Sequence, residues 1–235
     1  MKKNISDNIT ERRDFLKQVA TGAAALSLTM FTPPIPLSAG PHAGMPDDSD
    51  ADTWFNQLDT KGKHRIMFDV TKPNEVLPFA WPKVFLLSNA ATGTPEKENG
   101  VVVVLRHDGI PYAMESRLWE KYKFGEFFKI NDPATKAPSI RNMFWHPKPG
   151  DFKVPGIGAV AIGINELQDS GAMFCVCDMA LTVLSAVVAQ SMNMDAAVVK
   201  KDWVSGILPG VQIVPSGVWA VGRAQEHGCA YCFAG

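Results

Sequence analysis

Residues 100–107 read GVVVVLRH, and this run constrains the fold more than any other stretch of the chain. Successive side chains of a strand point to opposite faces. A strand with one wet face therefore alternates apolar and polar residues, whereas four valines and a leucine in a row must be covered on both sides. β-Branched residues suit an extended backbone better than a helix. A strand covered on both faces needs helices above and below the sheet, as in parallel α/β folds.

The rest of the chain supplies matching pieces. HRIMFDVT (64–71), AMFCVC (172–177) and VQIVP (211–215) read as three further strands. Between them lie helical patterns: PNEVLPFAWPKVFLLSNAAT, which Pro78 and Pro82 should kink or divide, and MESRLWEKYKFGEFF, with Leu118 and Tyr122 one turn apart. AVAIGINELQDSG follows, then DMALTVLSAVVAQSM, N-capped by Asp178, and the closing helix GVWAVGRAQEHG. The expected fold is α/β, a parallel, doubly wound sheet with right-handed crossovers. The stretch 129–158 has no periodicity and reads as a long irregular surface insert, and long loops in compact domains are often functional.

At the amino end, ITERRDFLKQVATGAAALSLTMF carries Arg12-Arg13 before a short apolar core, with prolines and small residues after it. This is the order of a twin-arginine export signal over residues 1–39, read by the Tat translocase and directing the chain to the periplasm. The apolar run from Val19 to Phe31 is too short for ~30 Å of hydrocarbon at ~1.5 Å per residue, so no stable membrane span is expected. Removing residues 1–39 takes five basic and three acidic side chains from totals of 23 and 24, leaving 18 and 21. That balance leaves no basic stripe for nucleic acid. Residues 40–60 begin acidic, with Gly and Pro, and read as a flexible linker. Residues 61–235 remain as one domain, long enough to bury a core without disulfides.

In an open parallel sheet, ligands bind outside the carboxyl ends of the strands. Here those ends carry His107-Asp108-Gly109, Cys177-Asp178 and Pro215-Ser216-Gly217. Cys177 falls where strand becomes helix, beside unpaired N–H groups of the first turn, which favour a thiolate. Asp178 opposes this with a second negative charge. Cys175, inside the strand, reads as a small buried hydrophobe. His107 is placed to exchange a proton with a nearby sulfur, with Arg106 adding positive potential, although a partly exposed turn histidine would look the same in sequence. Asp69 and Glu115 read as solvated surface groups. GIGAVAIG (156–163) lacks dinucleotide-binding spacing, and Ser216 has neither a nucleophile elbow around it nor an assigned base.

The pattern AMFCVCDMAL followed by GILPGVQIVPSGVWAVGRAQEHGCAY resembles the DsrE/DsrF-like group of sulfur-relay proteins. The resemblance is specific in the C-terminal third and extends loosely over His64 to Tyr231. It implies a parallel α/β sheet, a tendency to form symmetric homo-oligomers and, as in some members of the group, a cysteine, at the position matched by Cys177, that carries sulfur as a persulfide between a donor and an acceptor protein. The export signal, the long insert and the C-terminal cysteine pair depart from that pattern.

The tail HGCAYCFAG leaves three readings open. An even cysteine count in an exported chain suits a Cys229–Cys232 disulfide, strained by its short loop and so exchangeable. His227, Cys229 and Cys232, joined by Cys175 or Cys177, would instead supply ligands for zinc or an iron–sulfur cluster. Free thiols are the third. The sequence thus points to thiol or persulfide chemistry with Cys177 as nucleophile, His107 as proton-transfer partner and no cofactor required. A non-catalytic module that holds a small ligand or partner at the same strand ends and insert is the alternative.

Overall fold

The computed structural model describes residues 48–62, 64–154 and 158–235. The twin-arginine segment with Arg12 and Arg13, and residues 40–47, lie outside the described residues. In chain order the elements are α1 (Asp48–Phe55), β1 (Arg65–Val70), α2 (Leu77–Ala91), β2 (Gly100–Leu105), α3 (Ser116–Lys121), α4 (Phe124–Phe127), β3 (Lys153–Val154), β4 (Gly158–Ala159), α5 (Ile164–Asp169), β5 (Met173–Cys177), α6 (Asp178–Ser191), α7 (Ala196–Ser205), β6 (Val211–Val214), α8 (Gly217–Glu226) and β7 (Ala230–Phe233).

Five strands form one parallel sheet in the order β6-β5-β2-β1-β7, an α/β fold as expected, while β3 and β4 make a separate short hairpin. Every residue of β2 is buried, as its unbroken apolar run requires. One face of the sheet packs Phe68, Val103 and Phe174 against Phe79 and Leu86 of α2, Leu181 and Val188 of α6 and Trp203 of α7. The other packs Met67, Val102, Val104 and Cys175 against Phe55 of α1 and Ala220 and Ala224 of α8. Among the described residues no helix is long and apolar enough to cross a membrane.

Several local expectations need correction. The cysteine-bearing tail, to which the sequence assigns no strand, is a fifth strand. Gly228, at φ 79°, turns the chain out of α8, and residues 230–233 pair in parallel with β1, Ile66 opposite Ala230 and Phe68 opposite Cys232. Residues 48–60, read as flexible linker, are helical and place Ala51, Phe55 and Leu58 in the core. Helix α2 runs unbroken through Pro82. The helical pattern after Met114 breaks in two at Lys123, which adopts a left-handed φ of 52°. The helix expected from Ala159 starts only at Ile164. The insert is irregular but not purely superficial, because Ile130, Met143, Phe144 and Phe152 are buried in the larger core cluster.

Candidate functional site

Two helices start side by side at the carboxyl end of the sheet. Strand β5 leads into α6 on one face, and its neighbour β6 leads into α8 on the other. Adjacent strands whose connections leave to opposite faces define the crevice where open α/β sheets bind ligands. Cys177 and Ser216 stand at this point as the two N-caps. The Ser216 hydroxyl accepts from the Trp219 N–H at 3.1 Å, and the Met179 N–H donates to the Pro215 carbonyl at 3.3 Å, tying the two starts together.

Cys177, not Asp178, caps α6. The Ala180 N–H donates to Cys177 Sγ at 3.2 Å, so the sulfur occupies the place usually taken by a Ser or Asp oxygen. Asp178 begins the helix instead, and Lys200 of α7 donates to its Oδ2 at 2.9 Å. That ion pair offsets the negative charge that the sequence sets beside the thiol. Cys177 is 6% exposed, which leaves a narrow approach to the site.

The partner that the strand register brings to Cys177 is Arg106. Leu105 pairs with Val176, so the next residues, Arg106 and Cys177, stand abreast just beyond the ladder. By strand alternation Arg106 follows Val102 and Val104 onto the face covered by α8. There it presses on the first residue of that helix: a Cβ on Gly217 would lie 2.5 Å from Arg106 Cβ, so only glycine fits. Asp69, on the same face of β1, fixes the guanidinium. Arg106 Nε and Nη2 donate to Asp69 Oδ1 and Oδ2 at 2.7 and 2.8 Å, and the Tyr231 hydroxyl donates to Oδ2 at 2.8 Å. The Arg106 pKa is raised, first by the hydrogen bonds it donates to Asp69 and less by the nearby Tyr231 and Cys177. The result is a row of polar groups, Tyr231, Asp69, Arg106 and Cys177, across the end of a sheet that is otherwise apolar.

Asp69 corrects the reading of it as a surface carboxylate, since it is 1% exposed and central to this row. Glu115 is an exposed partner of Arg117, away from the row. His107 lies at the expected strand end, but its ring is 69% exposed and pairs with Asp108 at 3.3 Å on a left-handed backbone turn, φ 48°. The structure therefore brings Arg106, rather than His107, to the sulfur.

The remaining cysteines do not converge. All four are free thiols. Cys175 is sealed inside the sheet, and burial pushes its thiol far up. Cys229 belongs to the buried cluster beneath α8, where burial raises its thiol to about 11. Cys232 packs against the cluster on the opposite face, and burial raises its thiol too. A Cys229–Cys232 disulfide, one of the three readings of the tail, is thus not formed here, and strand alternation points the two side chains to different faces. His227 is taken by Asp59, its Nδ1 2.9 Å from Oδ1, and stacks on Phe55. Among the described residues no group of three or more His, Cys, Asp or Glu side chains gathers as a metal site, so His227, Cys229 and Cys232 do not assemble the set that zinc or an iron–sulfur cluster needs.

No family model matches the chain, and no curated protein matches it. A solved structure of a protein of unknown function from Methanobacterium thermoautotrophicum is similar at 18% identity over 72% of this chain and 98% of that one, with a TM-score of 0.37.

Proposed function

We propose that the chain is a thiol protein that carries a sulfane sulfur as a persulfide on Cys177. The observation that supports this most is the seating of Cys177 Sγ on the Ala180 N–H at the start of α6. Backbone donors at a helix N-terminus hold an anionic sulfur, and the guanidinium of Arg106 abreast of it adds a fixed positive charge. In the transfer step the Cys177 thiolate attacks the outer sulfur of a donor persulfide or polysulfide. The donor's S–S bond breaks, the new S–S bond forms on Cys177, and the electron pair leaves with the donor's inner sulfur. No net oxidant is required. His107 is not placed to serve this step; proton exchange falls to water and to the acceptor. The twin-arginine segment supports a periplasmic setting for this chemistry, and the DsrE/DsrF-like resemblance supports a symmetric homo-oligomer, for which the exposed stripe Met179, Val183 and Val187 on α6 offers an apolar surface.

The narrow approach to Cys177 favours small donors. Inorganic polysulfide added to the reduced protein should give a mass increase of one sulfur that maps to Cys177, is removed by a thiol reductant and is absent from Cys177→Ala. Cys232 is the better exposed thiol and serves as the internal control. An adduct that persists in Cys177→Ala, or that maps to Cys232 alone, would move the chemistry off Cys177 and leave the non-catalytic binding module as the better reading.

A further inference from the structure

The insert that the thiol chemistry does not use roofs a cavity of about 530 Å³ between residues 73–76, which follow β1, and residues 129–152. That is the size of a small-molecule site. Its apolar wall is Val76, Ile130, Met143, Phe144 and Phe152, with Phe144 and Phe152 stacked at 4.9 Å and nearly parallel. These residues belong to the larger core cluster and come from separate parts of the chain, so the cavity has a rigid side.

Three polar features give it a chemical preference. Tyr112 lines the cavity with 1% of its surface exposed, its ring set edge-on against Phe79 and Phe144, and its hydroxyl has no hydrogen-bond partner among the described residues. Burial drives the phenol pKa upward, so the group stays a neutral donor throughout the physiological range. With no acceptor among the described residues holding it, the hydroxyl is a donor available at the cavity wall. Lys129 and Lys136 also line the cavity, are exposed, and make no ion pair or side-chain hydrogen bond among the described residues. Of the two acidic groups there, Asp132 is already held by Arg141 at 2.8 Å, which leaves Glu75, without a partner among the described residues, as the one carboxylate facing two ammonium groups.

We infer that this cavity is a binding site for a small organic anion with a ring-bearing apolar body, its ring against Phe144 and Phe152, an acceptor oxygen on the Tyr112 hydroxyl and its negative charge toward Lys129 and Lys136. The site does not rest on Cys177, whose side chain lies on the other face of the sheet.

Isothermal titration of the full chain with 2-naphthoate and, separately, with the uncharged 2-naphthylmethanol tests it. The acid should bind one site with a dissociation constant on the order of 1 mM or tighter, and more tightly than the alcohol. Tyr112→Phe keeps the ring packing and should weaken the acid roughly 3- to 10-fold. The pair Lys129→Glu and Lys136→Glu should weaken it roughly tenfold or more while leaving the alcohol unchanged. No saturable binding of either ligand, equal affinity for both, or insensitivity of the acid to the double lysine reversal would overturn the assignment. Repeating the titration with Cys177→Ala separates the two sites: unchanged binding is expected, and its loss would refute their independence.

Discussion

Removing the Asp69 carboxylate should damage the fold more than any other single change at the end of the sheet. The group is essentially inaccessible and accepts three hydrogen bonds, two from Arg106 and one from Tyr231. Asp69→Ala would strand a guanidinium whose side chain is 28% exposed. Breaking a buried ion pair from one side costs about 3–5 kcal/mol. Partial access of water to Arg106 rehydrates the freed charge and places this case near the lower end, at about 3 kcal/mol. For a domain of this size that corresponds to a melting temperature lower by roughly 6–12 °C. Urea denaturation followed by tryptophan fluorescence measures it directly, as a shift of midpoint at unchanged slope. Tyr231→Phe removes one hydrogen bond at the exposed edge strand and should cost less than about 1 kcal/mol. The double variant Asp69→Leu with Arg106→Met should recover much of the loss, because an apolar pair of similar volume avoids the desolvation of both charges. A cost below about 1 kcal/mol for Asp69→Ala would refute the view that this carboxylate holds Arg106 in place.

Three further outcomes are expected. Burial tends to raise the Asp202 pKa, but hydrogen bonds from Lys121, Arg117 and Tyr122 outweigh it and hold the group well below the usual carboxylate range. A depressed folded-state pKa gives stability that is present above the unfolded value, near 4, and is lost as pH falls below it; Asp202→Asn should therefore be less stable at pH 7 and lose less between pH 5 and pH 2 in thermal melts. Gly217→Ala should shift or displace Arg106, read as a slower gain of one sulfur by Cys177 from polysulfide together with a lower melting temperature; an unchanged rate would refute the contact. Arg12→Lys with Arg13→Lys should leave the precursor inside the cell, and arrival of mature protein in the periplasm through the twin-arginine pathway would refute the export reading.

The inner sheet was readable because burial on both faces writes itself into sequence. Val101 to Leu105 and Met173 to Cys177 can hardly be anything other than covered strands. Strand β7 was not readable for the opposite reason. Ala230, Tyr231, Cys232 and Phe233 lie on an edge, mostly exposed, and carry neither the alternation nor the β-branched residues of a strand. Only the free ladder positions of β1 make the tail extended. Residues 48–60 were equally opaque: a polar, acidic helix hides three inward side chains, Ala51, Phe55 and Leu58, that composition averages away.

At the site, the sequence points to Cys177 and to the three strand ends, but it does not reveal which side chain stands beside the sulfur. Imidazole chemistry draws attention to His107, yet the chemistry of a side chain says nothing about its direction. Register decides that. Arg106 continues the alternation of Val102 and Val104 and turns inward to α8, while His107 begins a turn with positive φ and faces solvent. A half-buried arginine at that place in turn needs a carboxylate, and the residue able to supply it is the penultimate residue of β1: Asp69, in a strand whose other residues from Met67 to Val70 are apolar and buried. The signal was therefore present as an Asp in an otherwise buried strand, a charge that an interior tolerates only when paired. Taken with the Arg that directly follows β2, it points to an ion pair across the two strand ends, and the ion pair in turn fixes which strand end faces the cysteine.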